Sequence, residues 1–184
     1  MTDSTTRGGE PSDDALIRRW RRGDERAATL LVERHAPAVS RFVASMGERI
    51  ETEEVVQDTF VRAFASLDSF RAASSLRTWL FSIARNVCRD RARSSRRARL
   101  VVPLEEAHAL TAQDPLSAAV AAETELRLLA AMERLTETQR AVFTLRVTEG
   151  LSYREIADVV DTTEGSARVH YHNAVRAVKE YLDE

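Results

Sequence analysis

The sequence predicts an all-α protein made of two small helical domains joined by a flexible linker, the second domain being a helix-turn-helix. Three observations lead to this prediction. Apolar residues recur at helical spacing along most of the chain, and no alternating strand pattern of useful length occurs. Residues that favour helix N-caps precede most of these apolar runs. One stretch, residues 99–115, lacks a clean period and is long for a loop inside a compact domain.

The first domain is predicted over residues 13–98, after a polar tail. The tail, residues 1–12, contains two glycines and a proline, and we expect it to be disordered. The first helix of the domain runs from Asp13 to Arg22 and stops at Gly23, because glycine readily adopts the left-handed conformation in which helices often end.

Three further helices complete the first domain. Asp24 caps the second helix, which Pro37 interrupts or bends and which ends at Gly47. The third helix, residues 52–67, opens with acidic side chains that suit the positive end of its dipole. A polar stretch then leads to a long fourth helix, residues 76–97.

The second domain is predicted over residues 116–184 and contains four shorter helices. The first begins after Pro115, a residue type that fits the first helical position, and continues to about Leu135. Each of the other three begins with a hydroxyl side chain that caps the free amides of the first turn. These N-cap residues are Thr136, Ser152 and Thr163.

Charge is unevenly distributed along the chain, although its formal net value is only −2. Residues 71–99 contain nine arginines and one acidic residue, whereas residues 44–70 and 100–137 are both net acidic. A dense basic block favours binding to a polyanion such as nucleic acid over a merely solvated surface. The strong preference for arginine over lysine is explained most simply by GC-rich coding.

Several functional classes are excluded by what the sequence lacks. No apolar run approaches the roughly 20 residues that span a bilayer, and the N-terminus has no apolar signal core, so we expect a cytoplasmic protein without membrane insertion. The single cysteine, Cys88, rules out an internal disulfide framework and is interpreted as a packed helix residue rather than a redox sensor. His170 and His172 point about 200° apart on a helix and cannot share one metal ion. We predict no metal site, no cofactor and no enzymatic activity.

The predicted helix 76–97 separates apolar from basic residues. Its apolar arc, which is expected to face a core, consists of Leu76, Leu80, Ile83 and Val87. Its other side gathers polar and basic side chains of the kind that bind DNA phosphates, among them Arg85, Asn86, Arg89 and Arg93. The alternative, a solvated arginine face, normally contains interspersed acids for i,i+4 pairing, and this helix has only Asp90.

Three aromatic residues accompany the basic stripe. Phe70 lies in the preceding loop, Trp79 beside the apolar arc, and Phe81 is predicted to project away from that arc. An exposed aromatic ring next to arginines is a platform on which an unstacked base can lie. Core packing and base contact both remain open for Trp79, whereas Phe81 is predicted to contact a base.

The segment that begins at Ser152 has the pattern of a helix-turn-helix. A short capped helix is followed by a tight turn, and Thr163 caps a second helix. Major-groove recognition requires hydrogen-bonding groups in the N-terminal half of that second helix. The residues on its outward arc and flanks are Ser166, Arg168, Val169, His170, His172, Asn173 and Arg176. The alternative is an ordinary helical hairpin without a DNA-binding role.

Taken together, these segments resemble a known family. The sequences at 54–64, 76–90, 135–143 and 151–157 are similar to motifs of bacterial sigma factors of the sigma-70 family, in its extracytoplasmic-function (ECF) group. The resemblance extends over nearly everything except the tail and the linker. It implies a non-enzymatic subunit that directs promoter-specific transcription initiation by RNA polymerase.

The resemblance also implies partners and site residues for the first domain. It assigns binding of core RNA polymerase, at the clamp of the largest catalytic subunit and at the second large subunit, to Glu54, Gln57, Asp58 and Val61. A solvated acidic face is the alternative for that helix. Recognition and melting of the promoter −10 element, with a base of the non-template strand held by the loop 70–75, is assigned to Phe70, Arg71, Ser74, Ser75, Arg77, Trp79, Phe81, Arg85, Asn86, Arg89 and Arg93.

For the second domain the resemblance implies recognition of the duplex −35 element. The matching positions are Thr163, Ser166, Arg168, Val169, His170, His172, Asn173 and Arg176. Arginine and lysine are scarcer here than in the commoner family pattern, so the usual −35 sequence is not assumed. Members of the group are commonly held inactive by an anti-sigma factor, which is the further partner expected.

A second functional class remains open from the residues alone. Residues 135–180 also resemble the DNA-binding domain of response-regulator-type activators, and a stand-alone helix-turn-helix regulator would bind duplex DNA without polymerase. The acidic helix and the basic, aromatic helix of the first domain argue against that alternative, because such a regulator needs neither.

Overall fold

The computed structural model describes four stretches of the chain, which are residues 10–47, 51–70, 74–99 and 126–183. Within them the regular structure is helical throughout, in agreement with the predicted fold class. Residues 100–115 of the predicted linker 99–115, including the helix start at Pro115, and most of the predicted tail lie outside these residues, whereas Arg99 is the last residue of the fourth helix. In the described part of the chain, no helix is both long and apolar enough to cross a bilayer.

The first four helices form an N-terminal group. Their caps are local: Ser12 accepts a hydrogen bond from the Ala15 amide at 3.3 Å, and Asp24 accepts one from the Arg26 amide at 3.1 Å. The second helix continues through Pro37 without interruption, and a 3₁₀ turn at Leu67–Ser69 follows the third. The bounds are α1 Asp13–Trp20, α2 Glu25–Ala44, α3 Thr52–Ser66 and α4 Leu76–Arg99.

The other four helices form a C-terminal group. Thr136 and Ser152 each complete a capping box with the residue three positions later, as their spacing predicts. The turn after α7 is tight because Asp161 adopts a left-handed conformation with φ of 55°, and Thr163 then caps the last helix. The bounds are α5 126–133, α6 Glu137–Val147, α7 Tyr153–Val160 and α8 Glu164–Asp183.

The central element of the fold is α4, which packs against α2, α3 and α7. Phe42 of α2 and Phe81 of α4 meet edge to face, with ring centroids 5.3 Å apart. Cys88 is buried, and that burial raises the pKa of its thiol to about 12. A thiol with so high a pKa is not a reactive thiolate near neutral pH, which supports the interpretation of Cys88 as a packing residue.

The N-terminal and C-terminal groups are in contact with each other. One apolar cluster runs from the N-terminal group into α6 and α7, where it includes Leu145, Ile156 and Val160. A smaller cluster joins α5 to α8 around Met132, Leu135 and Val178, with Ala131 and Ala174 completing it. The larger cluster holds the two groups together in what we term the closed arrangement, with α4 facing α7.

A partly buried polar contact joins α1 to α2. The Asp13 carboxylate accepts a hydrogen bond from Nη1 of Arg34 at 2.7 Å and lies 2.9 Å from Nε2 of the buried His35. Burial alone would raise the pKa of Asp13, but the hydrogen bonds from His35 and Arg34 outweigh it, and the pKa lies below its ordinary value of 3.8. The ionised carboxylate is therefore the form that stabilises the fold.

Replacing Asp13 should make the protein less stable in a pH-dependent way. We expect Asp13→Asn to lower the free energy of unfolding by about 1–2 kcal/mol at pH 7, because the amide cannot replace both charge-assisted contacts. The folded pKa is depressed, so the wild-type advantage is complete above pH 3.8 and shrinks as the pH falls through the folded value. Urea unfolding at pH 7 and pH 3 measures both effects. Asp14→Asn, at an exposed neighbour, is the control, and an equal loss in both variants would contradict the assignment.

Candidate nucleic-acid interface

The start of α4 is fixed by a small hydroxyl network. The Thr78 amide donates to Oγ of Ser75 at 3.1 Å, and the two hydroxyl oxygens lie 2.8 Å apart. Ser75 is exposed and Ser74 is half-buried. Arg71, which is also assigned to the −10 site, lies outside the described residues.

Part of the predicted basic stripe is open to solvent. Asn86 and Arg93 are exposed on α4. Arg89 is partly exposed, with its Nε 3.5 Å from a carboxylate oxygen of Glu137 in α6. These three side chains form a polar strip along α4 that remains accessible in the closed arrangement.

The predicted exposure of Phe81 is wrong. The side chain is fully buried, and its ring packs against Phe42. The helical periodicity placed Phe81 away from the apolar arc, but α4 is covered by α2 and α7 as well as by α3. A second side of the helix is therefore buried, and Phe81 lies on that side.

Trp79 keeps both of the roles that the sequence left open. It is half-buried against the larger apolar cluster, and its ring centroid lies 5.2 Å from that of Phe70, which is also half-buried. The pair stands beside the loop 70–75 at the start of α4. An aromatic pair with one accessible side can pack against the core and still offer a surface to an unstacked base.

Arg85 is a second correction to the predicted stripe. It is only 5 % exposed, and burial, together with the nearby charge of Arg89, lowers the pKa of its guanidinium. Its Nε is buried, with no hydrogen-bond partner in the described part of the chain. The physical reason is the closed arrangement, in which α7 packs onto the face of α4 that a single-helix analysis leaves exposed.

A buried carboxylate links the two helical groups. Glu149, in the turn between α6 and α7, has a side chain with no exposed surface. It accepts hydrogen bonds from Nε and Nη2 of Arg41 in α2, at 3.0 and 3.3 Å, and a third from Nη2 of Arg77 in α4. Arg140 adds a contact between the groups by donating to the Met46 carbonyl at 2.9 Å. Sequence reasoning missed Arg41 and Glu149, since neither belongs to a local pattern.

The acidic side of α3 is not uniformly free. Arg91 of α4 donates to Glu54 at 2.5 Å and to Asp58 at 2.8 Å, and these hydrogen bonds, the one to Asp58 foremost, raise the pKa of its guanidinium. Gln57 is exposed, and Val61 is 67 % exposed, which is unusual for a valine on a helix that packs into a core. The predicted polymerase-binding residues therefore combine a partly neutralised acidic pair with an exposed apolar side chain.

The outward face of α8 carries the predicted −35 residues. Val169 is 58 % exposed, and Thr163, Arg168, His172 and Arg176 are also exposed. Ser166, His170 and Asn173 are half-buried. Two arginines on this face have partners within α8, because Arg168 donates to Glu164 at 2.6 Å and Arg176 to Oδ1 of Asn173 at 3.4 Å. The face thus has a mixed set of donors, acceptors and one exposed apolar group.

Comparison with known protein families gives two matches. Residues 31–98 match the family model of sigma-70 region 2, and residues 125–178 match that of sigma-70 region 4. The first contains most of α2 together with α3 and α4, and the second contains the helix-turn-helix.

Curated relatives are similar along most of their length. The chain is 31 % identical to the ECF RNA polymerase sigma-E factor of Haemophilus influenzae over 85 % of this chain and 88 % of the relative. It is 30 % identical to the protein of the same name from Escherichia coli K12, over 91 % of this chain and 92 % of the relative.

Two solved structures share the fold. The first is CnrH in complex with the cytosolic domain of CnrY, with a TM-score of 0.68, 29 % identity, and coverage of 93 % of this chain and 97 % of that one. The second is the sigma factor RpoE of Bartonella quintana in complex with the anti-sigma factor NepR, with a TM-score of 0.67, 26 % identity, and coverage of 84 % and 96 %.

The burial of Phe81 predicts a stability defect. We expect Phe81→Ala to lower the free energy of unfolding by about 3–5 kcal/mol, because it removes a fully buried ring from a packed core. Asn86→Ala, on the exposed strip of α4, should leave that free energy within about 0.5 kcal/mol of the wild-type value. Thermal and urea unfolding followed by circular dichroism compare the two variants. Equal stability of Phe81→Ala and wild type would show that the ring is not a core residue.

Proposed function

The chain belongs to the ECF group of the sigma-70 family, and on this premise we propose how its helices divide the work of promoter recognition. It is a sigma factor, a non-enzymatic subunit that directs RNA polymerase to initiate transcription. The observation that carries the proposal is that α4 and α8 both have exposed polar and basic side chains. The first helix lies in the part of the chain that matches sigma-70 region 2, and the second lies in the part that matches region 4.

We assign polymerase binding to α3. Its exposed residues Gln57 and Val61 flank the pair Glu54 and Asp58, which Arg91 holds in place. An exposed valine beside fixed carboxylates suits a partner surface that is apolar at its centre and basic at its rim. The proposed partner is core RNA polymerase, through the clamp of its largest catalytic subunit and through its second large subunit.

The −10 element is assigned to α4 and to the loop before it. Phe70 and Trp79 offer an aromatic surface for an extruded base, and the strip from Asn86 to Arg93 follows the backbone of the melted non-template strand. In the closed arrangement Arg85 is buried, and Arg77, although partly exposed, is bound to Glu149 of the C-terminal group. Their use in DNA binding therefore requires the two groups to separate, and Phe81 has a packing role instead.

The −35 element is assigned to the outward face of α8, docked in the major groove of duplex DNA. Asn173 can read an adenine edge, the arginines can read guanine or bind phosphate, and Val169 can contact a thymine methyl group. The partial pairing of Arg168 and Arg176 within α8 suits residues that exchange an internal partner for DNA.

Regulation by an anti-sigma factor is part of the proposal. CnrH and the Bartonella RpoE are each held in a complex, the latter with an anti-sigma factor, and they share the fold of this chain. We propose the same class of partner here, and a cytoplasmic location, where core polymerase and promoter DNA are found.

Reconstituted transcription tests the proposal directly. We expect the purified chain to co-migrate with core RNA polymerase and to produce transcripts from promoters recovered by sequencing DNA occupied in cells. Val61→Glu should weaken co-migration, because it places a charge at the centre of the proposed contact surface. Lys179→Ala, on α8, is the matched control for that step. Duplex binding by the free chain with no effect of core polymerase would favour a stand-alone regulator.

Base recognition by α8 makes a separate prediction. Asn173→Ala should relax preference at one −35 base pair by about 1–3 kcal/mol while affinity for other sequences changes little. Holoenzyme binding to a set of −35 variants measures this preference. Lys179→Ala, at an exposed position of α8 outside the predicted −35 set, is the control and should leave the order of preference among the variants unchanged. If Asn173→Ala also causes a uniform loss, Asn173 positions the helix and does not read a base.

A further inference from the structure

We propose that Arg41 and Arg77 form a binding site for a backbone phosphate of the −10 DNA strand, and that Glu149 occupies this site as an internal carboxylate while the chain is closed. The inference rests on the proposed function of α4. It adds Arg41 of α2, which is outside the predicted −10 set, and it identifies Glu149 of the C-terminal group as a competitor for the same site. The geometry that carries it is the convergence of two guanidinium groups from different helices on one buried carboxylate.

The carboxylate is held in place by its local backbone. The Glu149 amide donates to the Thr144 carbonyl at 3.3 Å, and Gly150 then turns the chain with a positive φ of 69°. A buried carboxylate is costly unless cations and hydrogen bonds compensate it, and both arginines here belong to the other helical group. Glu149 is therefore a stable buried charge only when α2 and α4 lie against it.

The two arginines belong to the same helical group, so they still form an anion site after the closed arrangement opens. Their side chains are 53 % and 39 % exposed even while they bind Glu149, so they lie at the edge of the contact between the groups. When the groups separate, the two guanidinium groups are left next to each other without the carboxylate of Glu149 that bridges them. Guanidinium binds carboxylate and phosphate through the same parallel hydrogen bonds, so a phosphate is the natural replacement.

Unpaired donors on the same face favour a larger anion than a carboxylate. The Nε atoms of Arg77 and Arg85 are buried, with no hydrogen-bond partner in the described part of the chain. A phosphate offers more acceptor oxygens than the single carboxylate of Glu149, and a DNA strand offers one phosphate per nucleotide. Nucleic acid can therefore offer more hydrogen-bond acceptors to these arginines than the C-terminal group does.

The position of the pair suits a strand that enters the −10 site. Arg77 lies on the first turn of α4, three residues after Ser74 of the loop proposed to hold a base. Arg41 lies beside it, since both side chains bind the same carboxylate. A phosphate between them would anchor the strand next to the extruded base, and Glu149 would compete for that place only in the closed chain. The apparent affinity of the free chain for DNA is then its intrinsic affinity multiplied by the fraction of molecules that is open.

The free chain tests the competition. Binding of fluorescein-labelled single-stranded DNA of mixed sequence is measured by anisotropy at low salt. We expect Glu149→Gln to raise the affinity at least about fivefold, because the open fraction increases and the arginines lose their internal anion. Asp158→Asn removes one exposed charge from the same helical group and is the matched control, expected to stay within about twofold of wild type. Circular dichroism verifies that both variants are folded.

The holoenzyme tests the phosphate site. With core polymerase bound, Arg41→Ala should weaken open-complex formation about fivefold and reduce the slope of log affinity against log salt by about 0.7, the value for one phosphate of a single strand. Glu149→Gln should have no effect there, because the proposed binding of DNA in the complex already requires the two groups to be apart. An unchanged salt slope in Arg41→Ala, or an unchanged free-chain affinity in Glu149→Gln, overturns the inference. Either result would leave the proposed function intact, provided that the wild-type protein still supports promoter-dependent transcription. Failure of the proposed function would instead appear as a loss of that transcription by the wild-type protein.

Discussion

The structure depends on the burial of α4 from several sides at once. This helix packs against α2 and α3 within the N-terminal group and against α7 across the contact between groups. Its apolar side chains serve the core, and its basic side chains serve the proposed DNA site, so the same helix determines both stability and function. Around Phe81 and Arg85 the helix is buried, whereas Asn86 and Arg93 remain exposed on another side of it.

The closed arrangement is held by polar contacts of a particular kind. Apolar packing between the groups is non-directional, whereas the hydrogen bonds from Arg41 and Arg77 to Glu149 require one relative orientation. Buried ion pairs often add little net stability, since desolvation offsets much of the attraction. Such a contact suits the proposed function, in which the free chain is closed and opens when it binds DNA.

Local features could be predicted from the sequence because they depend on nearby residues. The capping boxes at Thr136 and Ser152 and the N-caps at Asp24 and Thr163 follow from spacings of two or three residues, and the structure confirms them. Failures came from contacts between residues far apart in the chain. Phe81 and Arg85 were placed by the periodicity of one helix, which carries no information about α7, and Glu149 meets Arg41 over 108 positions. The individual DNA and polymerase contacts stay predictions for the same reason, since they depend on partners outside the chain.

The position of Arg91 has a consequence for how fast this protein finds its polymerase. By holding Glu54 and Asp58 together, Arg91 cancels part of the negative field that α3 would otherwise project into solvent. Long-range attraction accelerates encounter between oppositely charged proteins and fades as ionic strength rises. At the contact surface proposed on α3, encounter with core polymerase then depends more on the shape around the exposed Val61 and less on steering. The rate of that encounter is therefore expected to vary less with ionic strength than it would for a helix whose acidic side chains were unpaired.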